Sequence, residues 1–175
     1  MRSRCLTLLA VLALAACGDS QGPGLNGPAL IKIAIDGQTV PPVVAHAGCG
    51  DYGFILSLAP LAPAVPNADV LEIRAADLRG AKTFTLANVS TGRFARTYSL
   101  GTGGLSYQTD SVAPGRLTIT GVDFTDSVVA GTFSFRLVST MNSATTYDAT
   151  GSFRQAFTQV FTVANPGGTT CQARP

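Results

Sequence analysis

The chain of 175 residues has no tryptophan, one histidine, two methionines and only 13% charged residues. Each shortage closes off chemistry. With one imidazole, a Ser-His-Asp triad would have to use His46. A zinc site needs three or four ligands, and His46 with Asp51 supplies two at most. The sequence lacks Gly-x-Ser-x-Gly, His-Glu-x-x-His, the phosphate-binding Gly-x-x-x-x-Gly-Lys and Cys-x-x-Cys. The expectation is a protein without catalytic residues, metal or cofactor. No apolar run reaches the roughly 20 residues of a membrane-spanning helix.

The longest such run, Leu6–Ala16, is eleven residues of Leu, Ala and Val with a single Thr7, and Arg2 and Arg4 precede it. A short basic region followed by a short apolar one is the layout of a secretory signal peptide. It ends in Leu14-Ala15-Ala16-Cys17. This stretch resembles a bacterial lipoprotein lipobox: a branched apolar residue, two small ones, then cysteine. The resemblance implies that diacylglycerol alkylates Cys17 and that the chain is cut before it. Residues 1–16 are then the signal peptide, and a membrane held through lipid is the expected partner. An ordinary secretory signal cut near Ala15-Ala16 is the alternative. Gly18, where an Asp would mark inner-membrane retention, implies the outer membrane.

Loss of Arg2 and Arg4 leaves ten basic against ten acidic residues. That balance gives no reason to expect a nucleic-acid partner. Once Cys5 leaves with the signal and Cys17 carries lipid, Cys49 and Cys171 remain. Two thiols in an exported chain point to one disulfide; two unpaired thiols or an intermolecular bond are the alternatives. "GDSQGPGLNGP", Gly18–Pro28, holds four Gly and two Pro. With Cys17 it reads as a flexible tether spanning roughly 15–20 Å.

Residues 29–175 read as a single β domain. Ile31, Ile33 and Ile35 alternate with polar or small residues, and Asp36-Gly37 offers a hairpin turn. Pro41-Pro42 limits the next segment to an edge. Phe54 to Leu58 is a short apolar run. Pro60, Pro63 and Pro66 make a rigid loop. Leu71, Ile73 and Ala75 face one way, with Glu72 and Arg74 on the other. Phe84 and Leu86 alternate with threonines, as do Leu117 and Ile119. Phe94, Arg96 and Tyr98 share a face, which is a mixed signal. Val129, Phe133, Phe135 and Leu137 share another with Gly131, a candidate bulge or close approach. Phe153, Phe157 and Phe161 have helical spacing, but the β-branched residues around them favour a strand that bends near Gln155. The pattern predicts an all-β fold of about eight to ten strands: an antiparallel β-sandwich, with a small β-barrel as the alternative.

From Arg93 to Phe153 the order "RFARTYS", "SYQTD", "GRLTITGVD", "VAGTFSFRL", "ATGSF" is similar to an uncharacterised group of bacterial lipoprotein domains of unknown function. That resemblance implies a β domain on a lipid anchor and adds no activity. Three functions follow as expectations. The first is a lipid-anchored, non-enzymatic envelope domain used for binding or surface interaction. The second is a small-molecule carrier with a lipocalin-like cavity. The third is a hydrolase with dispersed residues. His46 lies in "AHAGCGDYG", which reads as a loop. Asp123 and Asp126 in "GVDFTDS" suit a turn cap or, alternatively, part of a calcium site. "LGTGGLSYQTD" reads as a hairpin loop.

Overall fold

The computed structural model describes residues 22–160 apart from 42, 51–52, 60, 62–63, 67, 77, 88 and 100–103. Residues 1–16, expected to be a signal peptide, and Cys17, Asp51, Phe161 and Cys171 lie outside the described residues.

Among the described residues eleven strands follow one another: β1 (Leu30–Ile35), β2 (Gln38–Thr39), β3 (Val44–Gly50), β4 (Gly53–Ala59), β5 (Val70–Ala75), β6 (Lys82–Leu86), β7 (Phe94–Tyr98), β8 (Leu105–Thr109), β9 (Gly115–Asp123), β10 (Val128–Ser139) and β11 (Thr146–Val160). A single 3-10 turn, Val89–Thr91, joins β6 to β7. The fold is all-β. The long hairpin β10–β11 is central, paired from Val128↔Ala156 to Val138↔Thr146. One layer extends from it as β11-β1-β2 on one side and β10-β9-β6 on the other. The second layer, β3-β4-β5-β7-β8, joins the far ends of the same two strands, β3 to β11 and β8 to β10. Seven strands therefore close a ring, so sandwich and barrel describe the same object. Every pairing is antiparallel except β11 with β3, which is parallel.

Period two places the core. Ile33, Ile35, Phe54, Leu56, Leu58, Leu71, Ile73, Phe84, Leu117, Phe133, Leu137 and Phe153 are buried and form one cluster. The rings of Phe54 and Phe153 stack at 6.1 Å across the two layers. Asp36 and Gly37 both have positive φ, 49° and 77°. That is the backbone of a type I′ turn, whose twist matches the β1–β2 hairpin. β2 is two residues long and ends before Pro41, as the proline pair requires. Around Gln155, β11 changes neighbours, from β1 up to Arg154 to β3 from Phe157. This lets both Phe153 and Phe157 be buried.

Two segments depart from the sequence reading. Ala45–Gly50 is strand, not loop. Its inward residues are small because their partners are large: Cys49 faces Phe54, Ala47 faces Leu56 and Ala45 faces Leu58. Residues 22–28 of the expected tether lie against the outer face of β9, β10 and β11. Thr120 Oγ1 donates to the Pro23 carbonyl at 2.7 Å. Arg154 Nε donates to the Pro28 carbonyl at 2.7 Å, and its Nη1 to that of Gly24 at 3.2 Å. Leu25 covers Gly121.

The ladder of β10 with β9 slips between Ala130 and Gly131. A Cβ on Gly131 would sit 2.5 Å from the Thr118 carbonyl oxygen and 2.9 Å from Phe153 Cζ. Overpacking of this kind costs about 1–3 kcal/mol. Gly131→Ala is therefore expected to lower the urea midpoint. Gly80→Ala, with nothing within 4 Å of its Cβ, is expected to stay within about 0.5 kcal/mol of the parent. Matched urea curves for the two variants would refute this role of Gly131.

Arg136 and Asp148 pair across β10 and β11, with Nε–Oδ1 at 2.9 Å and Nη2–Oδ2 at 3.2 Å. The hydrogen bond from Arg136, and then its charge, hold the Asp148 carboxyl below the usual carboxylate range. The pair's contribution is thus present above the ordinary carboxylate pKa and fades as pH falls through the lowered one. In Arg136→Ala, an NMR titration of Asp148 should return toward the ordinary value.

Candidate functional site

The described residues gather charge on the outer face of the second layer. There β5 and β7 are neighbours, with Glu72 opposite Arg96 and Arg74 opposite Phe94. Alternation sends Leu71, Ile73, Ala95 and Thr97 inward and leaves Glu72, Arg74, Phe94 and Arg96 outside. Arg74 Nε donates to Glu72 Oε1 at 2.8 Å. Arg96 Nε reaches the same oxygen at 3.0 Å, and its Nη2 is also 3.0 Å away. The glutamate side chain is only 9% exposed, and the arginines are 30% and 31% exposed. One carboxylate oxygen therefore holds two guanidinium groups side by side.

Phe94 explains the mixed signal of its strand. It points outward yet is 3% exposed. The guanidinium carbons of Arg74 and Arg96 stand 5.7 Å and 5.3 Å from its ring centre. That is cation–π distance, so the arginines roof the ring while Glu72 fixes their roots. Beside them the 3-10 turn rises to form a wall. It is closed by hydrogen bonds from Ala87 N to Arg93 O at 2.9 Å and from Gly92 N to Val89 O at 3.2 Å. Thr91 Oγ1 accepts from the Arg93 amide at 3.2 Å. Together these groups line an open cleft of about 450 Å³, with Ser90, Thr91 and Val89 on one side and Arg74, Ala76, Phe94 and Arg96 on the other. Its volume falls in the usual range of small-molecule sites. Its formal charge, two arginines against Glu72, is +1.

The residues that sequence reading singled out lie elsewhere. His46 is exposed on β3 opposite Ser57. It stands on a strand, where a loop was expected, because β4 supplies the bulk that β3 lacks. Asp123 caps its own turn: Oδ1 accepts from Thr125 N at 2.7 Å and Asp126 N at 3.0 Å. Among the described residues no three His, Cys, Asp or Glu side chains converge as a metal site. Cys49 is 2% exposed on β3. Leu105–Thr109 of the expected Gly-rich loop forms β8, and residues 100–103 of it lie outside the described residues.

Glu72→Ala would leave two neighbouring guanidinium groups without their shared acceptor. Charged hydrogen bonds are worth about 1.5–3 kcal/mol when buried. Partial exposure of the arginines reduces this, so a loss of about 1–3 kcal/mol is expected. Arg74→Ala should cost less, because Glu72 keeps Arg96. Thermal melts of both variants check the order; an equal or reversed order would contradict it. Comparison of the chain with models of known protein families, with curated proteins and with solved structures returns no match, so the chemistry of the cleft is argued from its own geometry.

Proposed function

We propose that this protein is a lipid-anchored, non-enzymatic domain of the bacterial cell envelope that works by binding, with the Arg74–Phe94–Arg96 cleft as its binding surface. The observation that carries the reading is the arginine pair itself. Glu72 orients two cationic groups at an open cleft, and its lining residues set no His, Cys, Asp, Glu or Lys beside the Ser90 and Thr91 hydroxyls. Pre-set orientation favours binding because less side-chain freedom is lost when a ligand arrives.

The anchor rests on the signal-like segment and Cys17. Four residues, 18–21, separate Cys17 from Gly22, where the segment on β9 and β10 begins, and the five steps between them reach at most about 18 Å. That short reach would keep the β9–β10 face near the membrane and turn the cleft, on the opposite face, away from it. Outer-membrane placement belongs to the same reading, on the strength of Gly18.

A Cys49–Cys171 bridge completes it. In support, Gln159 of β11 lies beside Cys49 in the parallel pairing, so β11 ends at the strand that carries Cys49.

Cys17→Ser tests the anchor. Intact mass should lose the diacylglycerol and acyl groups, and the protein should leave the membrane fraction. Unchanged mass and partitioning would remove the lipoprotein reading. Non-reducing peptide maps should show a peptide containing Cys49 joined to one containing Cys171. Sucrose-gradient recovery with inner membranes would overturn the outer-membrane placement.

A further inference from the structure

We infer that the cleft takes a monoanionic oxyanion, a carboxylate or a phosphodiester, on a small polar body; this rests on the cleft being the binding surface. Three observations converge on it.

The first is donor supply. Arg74 uses its Nε on Glu72 and Arg96 uses Nε and Nη2. Both Nη groups of Arg74 and Nη1 of Arg96 make no hydrogen bond within the described residues. A guanidinium fork matches two oxygens of a planar or tetrahedral anion, and here the Nη pair of Arg74 and Nη1 of Arg96 stand over one ring.

The second is charge. The cleft has a net formal charge of +1, so one negative charge neutralises it. A dianion would leave excess negative charge beside Glu72, whose carboxylate is almost fully covered. A neutral ligand would leave the arginine donors without an ionic partner.

The third is the wall. Ser90 and Thr91 carry hydroxyls, while Val89 and Ala76 are apolar. Such a rim suits a ligand with hydroxyl groups around its acid, such as a sugar acid or a glycerol phosphodiester. The opening is on the face opposite residues 22–28, so a ligand from solution or from a neighbouring polymer reaches it without crossing the anchored side.

The full-length protein, purified in detergent, should be titrated calorimetrically with glucuronate and with glycerophosphoglycerol, and with glucose and glycerol as neutral counterparts. Saturable binding of either anion is expected, weakening as salt rises and falling about tenfold in Arg74→Gln, a loss of about 1.4 kcal/mol. Arg74→Gln leaves Arg96 on Glu72, and its urea midpoint reports whether it is folded. Ser90→Ala, at the rim, is a second variant that leaves the Glu72 cluster intact and should weaken binding by a smaller factor. Glucuronate alone would assign a carboxylate, glycerophosphoglycerol alone a phosphodiester; either supports the inference. Anion binding unchanged in folded Arg74→Gln would overturn it. If only the neutral compounds bind, and Arg74→Gln weakens them, the cleft remains a binding surface and the oxyanion inference fails. If no compound binds, both fail.

Discussion

Two long strands serving two layers are the constraint on which the rest depends. A β-sheet edge leaves backbone N–H and C=O groups without partners. Here β10 and β11 pair with each other and then each gives its outer edge to two different neighbours. β10 serves β9 and then β8, and β11 serves β1 and then β3. The second layer hangs between those two corners. Its β5–β7 pairing, which brings Glu72 opposite Arg96, exists because β3 and β8 are fixed at either end. The cleft is thus a product of ring closure, although no residue of β10 or β11 lines it.

Closure also explains why glycine and large aromatics alternate at the hairpin. Gly131 and Gly151 sit where Phe153 and Phe133 need room: a Cβ on Gly151 would run into Phe133 Cζ. The two rings pass over the two glycines of the opposite strand. Bulk is moved from one strand to its partner, as it is between β3 and β4. The core is filled by the pair, so no single strand shows the full pattern of its own packing.

That division sets what can be read from the sequence. Strands whose own residues alternate, such as Ile31–Ile35, Leu71–Ala75 and Leu117–Ile119, are legible because period two is local. The Asp36-Gly37 turn and the Gly131 bulge are legible because glycine marks them. β3 is not, since "AHAGCG" becomes a strand only opposite Phe54, Leu56 and Leu58. The path of residues 22–28 is not, because it depends on Arg154, more than a hundred residues away. The cleft was half visible: Glu72 and Arg74 were placed outside, and Phe94 and Arg96 shared a face. What was missing was the register that sets Glu72 against Arg96, a tertiary fact that no spacing within either strand encodes. Strand count and the parallel β3–β11 pair were hidden for the same reason.

The parallel pairing has a consequence in time. β1 and β3 lie near the start of the domain, and their partner β11 is its last described strand. A chain made from its amino terminus must carry both edges unsatisfied until β11 arrives. The loop that the pairing closes spans most of the domain, which is the topology of slow folding. The lone proline pair beside β2 and the small residues of β3 make those waiting edges poor templates for another chain. Kinetic protection during that interval, as much as fit in the finished core, gives a physical reason for a strand as plain as "VAHAGCG".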